Sequence, residues 1–138
     1  MKRKPAANAD SLGVDLTRIG FWACSGQGSP VFLALQDQDQ PYREAFKAAA
    51  LTYLDLTTAD PGLWPKGISL FVVKAGKDFN IQPETIDYFV AQARASNLET
   101  EYIELANAPH AYAIYQDNQI SRDTVKQTVE FLQSKLLP

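Results

Sequence analysis

One cysteine, one histidine and one methionine occur among 138 residues, and this scarcity excludes several chemistries. Cys24 alone cannot close an intrachain disulfide, and together with His110 it falls short of a structural zinc site. A lone histidine cannot build a two- or three-histidine metal centre either. No run of about 18 apolar residues is present, so no membrane span is expected. Residues 1–10 are net basic without the apolar stretch of a secretion signal, which makes the cytoplasm the expected location. Basic side chains number 13 against 16 acidic ones, for a formal net charge of -3 and a pI near 5.1. With no basic stripe, nucleic acid is not an expected partner. Gly26 and Gly28 begin no G-x-G-x-x-G, because Val31 occupies the third glycine position, and no G-K-[ST] follows. Neither a nucleotide nor any other cofactor is expected.

Apolar residues make up 46% of the chain and charged residues 21%, a globular composition suited to one domain over residues 1–138. Residues 8–13 suit the tail of a helix stopped by Gly13. Residues 18–24 (R-I-G-F-W-A-C) are short, apolar and bounded by polar segments, as a buried parallel strand should be. S-G-Q-G-S-P follows, and residues 31–35 turn helical in pattern, with Pro30 near the helix start where its missing N–H costs nothing. Residues 49–54 are read as a strand. Residues 68–74 (I-S-L-F-V-V-K), β-branched, aromatic and nearly continuous, give the clearest strand of the chain. Pro83 opens a helix whose apolar face is Ile86, Phe89, Val90 and Ala93, with Asn97 as its stop. Residues 100–105 form a strand whose charges place it on the outside of the sheet. A long loop over residues 107–120 holds His110, and Ser121 caps a last helix striped by Val125, Val129, Leu132 and Leu136. Strands alternating with helices at this spacing predict an α/β, three-layer fold on a mostly parallel sheet of about four strands.

Chemistry in an open parallel sheet gathers at the carboxyl ends of its strands. Ser25 directly follows the first strand, Asp78 follows the third and His110 follows the fourth. Ser, Asp, His is the chain order of an α/β hydrolytic triad. A serine hydroxyl is a poor nucleophile until a base takes its proton. Histidine takes that proton near neutral pH and returns it to a leaving group, while a carboxylate fixes the imidazole tautomer. Asp55, also at a strand end, competes with Asp78; Asp60 does so less, because D-P-G signals a turn. The turn around Ser25 has small neighbours, but G-x-S-x-G would place glycines where Ala23 and Gln27 stand. Gln27 is the larger departure, since it puts a side chain where the helix starts against the strand. Cys24 occupies the last strand position, so its thiol should point away from Ser25.

R-I-G-F-W-A-C-S-G-Q-G, then L-F-V-V-K-A-G-K-D, then A-P-H-A-Y, resemble the serine α/β-hydrolases, in the branch close to dienelactone hydrolase and small carboxylesterases. The resemblance implies Ser25 as nucleophile, Asp78 as acid, His110 as base and the Gly26 N–H as an oxyanion donor. It implies a small carboxylic ester as substrate. Dienelactone hydrolases use a cysteine nucleophile, which Ser25 replaces here.

The resemblance covers nearly all of this chain but only the second half of the family fold. On this resemblance the strands expected before residue 18 would be missing, and so would the loop that normally gives the second oxyanion N–H. Loss of one donor costs roughly 3 kcal/mol of transition-state stabilisation, so slow ester hydrolysis is expected. A non-catalytic remnant or interaction domain, or a half-chain needing an N-terminal partner, are the alternatives. The strand at 18–24 would lose its neighbours and present an apolar edge with no proline to guard it. Pairing of two such edges in a homodimer is expected. Trp22, Phe79, Tyr112 and Tyr115 are candidates to line an acyl pocket.

Overall fold

The computed structural model describes residues 8–138, and the basic segment 1–7 lies outside them. A short helix α1 (Ala9–Leu12) ends on Gly13, whose φ of 64° supplies the left-handed stop read from the sequence. Strand β1 (Ile19–Cys24) follows, then a 3-10 turn (Ser25–Gln27) that passes into α2 (Gly28–Gln36). Strand β2 (Phe46–Thr52), strand β3 (Ser69–Lys77), helix α3 (Pro83–Ala95), strand β4 (Glu99–Pro109), helix α4 (Tyr112–Tyr115) and helix α5 (Gln119–Leu136) complete the order.

The four strands lie in the order β1-β2-β3-β4 and every pair is parallel. A sheet that adds its strands in sequence must send each crossover over the same face. That face carries α2, α3 and the buried Trp64 of the β2–β3 connection, which pack with Phe32, Leu35, Ile86, Phe89 and Val90 against Ala49, Leu51, Leu70 and Val72. The opposite face takes α5, whose Phe131 stacks on Phe71 at 5.4 Å between ring centroids. Each large side chain buried in this way contributes about 2–3 kcal/mol. The expected three-layer α/β arrangement on four parallel strands is therefore the observed one, with charged β4 at one edge and β1 at the other.

Several boundaries differ from the sequence reading. The second strand runs from Phe46 to Thr52, so Tyr53 and Leu54 fall beyond it. The expected long loop holding His110 is β4 continuing to Pro109, followed by α4. The last helix is capped by Asn118, whose side-chain oxygen accepts from the Ser121 N–H at 2.9 Å. Ser121 itself is buried and donates to the Tyr112 carbonyl at 3.3 Å.

One polar network crosses the α3 face. Buried Lys74 on β3 donates to Asp87 on α3 at 2.7 Å and reaches Glu104 on β4 at 3.5 Å. Tyr102 donates its hydroxyl to the same Asp87 at 2.7 Å. Burial opposes the charge on Asp87, but the bonds from Lys74 and Tyr102 outweigh it and hold the carboxyl below its ordinary range. The network pins α3 to β3 and β4 just before those strands deliver Asp78 and His110.

Candidate active site

The ends of β1, β3 and β4 lie together at the carboxyl end of the parallel sheet. Ser25 Oγ lies 2.8 Å from His110 Nε2. His110 Nδ1 lies 2.7 Å from Asp78 Oδ2. The Asp78 side chain is 1% exposed and the imidazole 19%, so the pair is shielded from water on the acid side and open on the serine side. The second Asp78 oxygen accepts the backbone N–H groups of Asn80 at 2.8 Å and Ile81 at 3.0 Å. Those bonds fix the carboxylate plane. With Oδ2 accepting from Nδ1–H, Nε2 is left as the acceptor for the serine hydroxyl.

Strand register builds the Asp78–His110 pair. Ala75 stands opposite Leu105, yet Lys77 stands opposite Pro109, with an irregularity between Ala75 and Lys77. β4 thus spends two extra residues there, and Asp78 and His110, the next residue on each strand, emerge side by side. Gly76 makes the irregularity possible: a Cβ on it would fall 2.6 Å from the Ala106 carbonyl oxygen and 2.8 Å from Ala106 Cα.

Ser25 sits on a sharp turn with φ at 51°, a left-handed conformation that costs an L-residue roughly 1–2 kcal/mol. Strained backbone of this kind gathers at functional sites. Among the described residues the non-glycine positions with positive φ are Ser25, Tyr53, Asn97 and Ala111. Asn97 only turns the chain after α3. Ser25 carries the hydroxyl that meets His110, Ala111 directly follows His110, and Tyr53 packs on the His110 ring.

Gln27 is accommodated without intruding on the packing. Its side chain is exposed and folds back, the amide oxygen accepting from the Cys24 N–H at 3.3 Å. The close approach falls one residue later, at Gly28, where a Cβ would meet the Phe32 ring at 3.1 Å and Leu54 at 3.2 Å. A Cβ on Gly26 would meet nothing within 4 Å. The Gly26 N–H belongs to the first turn of the helical segment after Ser25 and has no intrahelical carbonyl to bind.

The rival carboxylates are engaged elsewhere. Asp55 accepts from the Thr57 N–H and hydroxyl at 3.0 and 2.7 Å, and Asp60 caps the turn at Gly62. The Cys24 thiol lies 3.7 Å from the Thr52 hydroxyl, which also accepts from Trp22 Nε1 at 3.0 Å. The four aromatic candidates do not form one pocket. Tyr112 is buried, Trp22 is tied to Thr52, and Phe79 is 97% and Tyr115 81% exposed. A cavity of about 410 Å³ between β4, α4 and α5 is lined by Glu104, Asn107, Tyr112 and Ser121 and by none of Ser25, Asp78 and His110. No group of metal-ligating side chains occurs among the described residues, and no helix there is long and apolar enough to cross a membrane.

No family model and no curated protein matches this sequence. Solved structures match in fold. Thermogutta terrifontis esterase 2, phosphonylated by cyclosarin, is 19% identical, aligns over 94% of this chain and 60% of its own, and gives a TM-score of 0.72. A fungal esterase from Rhizomucor miehei gives 0.75 at 11% identity, over 94% of this chain and 55% of that one. A Klebsiella pneumoniae protein assigned to the dienelactone hydrolases gives 0.64 at 20% identity, over 93% and 55%. The chain spans 55–60% of the length of these structures. Its fold is α/β-hydrolase-like and partial.

Proposed function

We propose that this chain is a serine hydrolase of small carboxylic esters that works through an acyl-enzyme on Ser25. The observation that carries the reading is the unbroken line Ser25 Oγ, His110 Nε2, His110 Nδ1, Asp78 Oδ2, with links of 2.8 and 2.7 Å. As Ser25 Oγ bonds to the ester carbonyl carbon, its proton passes to Nε2 and the carbonyl π pair moves onto oxygen. The Gly26 N–H binds that oxyanion. Collapse breaks the bond to the alcohol oxygen, which leaves with the proton from Nε2. Water then adds to the acyl carbon, giving its proton to Nε2. The second collapse releases the acid and returns the proton to Ser25 Oγ. Asp78 holds the imidazole tautomer throughout.

Among the described residues no strand pairs with the outer edge of β1, and this, with the 55–60% coverage of the matched structures, favours a second reading, a domain that needs a complement beside β1. A second copy is the proposed occupant. Trp22 on β1 is an exposed apolar residue and Leu136 packs on Gly20 of β1, and a twofold axis would join two identical edges into one sheet. Such a partner could also bring the second oxyanion N–H.

The test of the catalytic reading is turnover of p-nitrophenyl acetate by the full chain. Slow turnover is expected, reduced about 100-fold or more in both Ser25→Ala and His110→Ala. Equal turnover in Ser25→Ala would refute it.

A further inference from the structure

Side chains of a strand alternate between the two faces of its sheet. On β2, Ala49 and Leu51 enter the core under α2 and α3, while Ala48 and Ala50 enter the core under α5. Thr52 keeps the alternation and meets Cys24 and Trp22. Tyr53 is then due under α2 and α3. It lies instead under α5 with Ala111 and Tyr112, and Leu54 takes the other face. The φ of 40° at Tyr53 breaks the alternation and sends two successive side chains to the same side. A bulky residue rarely adopts that conformation, and it persists only where its surroundings impose it.

The displaced ring meets the base. Tyr53 stands edge-on to the His110 imidazole, with centroids 5.3 Å apart and planes at 66°. Its other aromatic neighbour is Tyr112, at 5.4 Å and 82°. The whole side chain is 1% exposed. Hydrogen bonds at Nδ1 and Nε2 hold an imidazole at two nearly opposite points and leave it free to rock about the line between them. A contact on the side of the ring removes that freedom. During the acyl-enzyme stage the Ser25 bond to Nε2 is gone, and only Asp78 and the side contact still aim the ring.

We propose that Tyr53 is a positioning residue whose ring, carried across the sheet by its left-handed backbone, fixes the plane of the His110 imidazole. The kinetic consequence rests on the hydrolase reading; the spectroscopic one does not. His110 is the sole histidine, so its imidazole N–H signal in a proton–nitrogen NMR spectrum has no rival.

The experiment compares the full chain with Tyr53→Phe, Tyr53→Leu and Tyr53→Met. The parent is expected to show one sharp, strongly downfield Nδ1–H signal. Phe should keep it, while Leu and Met should broaden or abolish it in a chain that remains folded by circular dichroism. In burst kinetics with p-nitrophenyl acetate, Leu should slow deacylation about ten-fold more than acylation, and Phe should restore the parental ratio. A sharp downfield signal in folded Leu or Met variants would overturn the proposal. Loss of the fold in both would also overturn it, by assigning Tyr53 to the core alone. If the parent turns over no ester yet the signal is lost in the Leu variant, the hydrolase reading falls and the positioning role stands.

Discussion

Lys77 on β3 stands opposite Pro109 on β4, although Ala75, two residues before it, stands opposite Leu105. The two extra residues of β4 decide where the imidazole appears. Without them Asp78 would face Ala108, and His110 would emerge beyond its reach.

Gly76 is the position where that register can be attacked. Gly76→Val should force apart β3 and β4, because its Cβ would meet the Ala106 backbone at 2.6 Å. A loss of about 1–3 kcal/mol, read by urea denaturation, is expected. Ester turnover should fall further than the folded fraction does. Full stability in this variant would show that the close approach is not needed.

The helix after Ser25 offers a paired comparison. Gly28→Val should cost about 1–3 kcal/mol, because its Cβ would already press on Phe32 at 3.1 Å and Leu54 at 3.2 Å and its methyls add further volume. Gln27→Gly, which restores glycine two residues after the serine, should change stability by only a few tenths, near the value for a weak cap. Thermal denaturation of both variants checks the ranking, and the reverse order would contradict the packing described.

Much of this site was legible in the sequence because strand ends are legible. The strands read at 18–24, 68–74 and 100–105 are each followed within five residues by Ser25, Asp78 or His110, in an order that suggests their roles, and the single histidine leaves no rival for the base. Local pattern could not show what depends on two strands at once. The β4 irregularity requires Gly76 and Ala106 to be neighbours. The face taken by Tyr53 contradicts alternation, and no propensity marks a tyrosine for positive φ. Spacing alone sets the Gln27 side chain against the strand, whereas its amide turns back to the Cys24 N–H.

Acid sensitivity should be traceable to the join between β4 and α5. Glu99 accepts from Lys135 at 2.8 Å and from Ser69 at 2.6 Å, and these bonds, Lys135 first, hold its carboxyl below the ordinary 4.5. A lowered folded-state value adds stability above the unfolded value, and that stability is lost as pH falls through the folded one. Lys135→Met should therefore cost about 0.5 kcal/mol at pH 7, a small figure because Glu99 is 59% exposed. The cost should shrink at acid pH, as protonation of Glu99 removes the charge that Lys135 meets. Equal destabilisation at neutral and acid pH would place the effect in packing.

The open edge of β1 makes a prediction about mass. Light scattering at micromolar concentration should give twice 15.3 kDa, and amides 19–23 should exchange slowly with solvent. A 15.3 kDa particle would remove the second copy as occupant and leave a complementary segment as the alternative.

Thermogutta terrifontis esterase 2 is phosphorylated by paraoxon, and the same reagent tests the central claim most directly here. Intact-mass and peptide mass spectrometry of the full chain after paraoxon treatment should find one adduct, on Ser25. His110→Ala should slow its formation about 100-fold or more, and Ser25→Ala should abolish it. A folded chain that stays unlabelled, or an adduct on another residue, would contradict an activated Ser25.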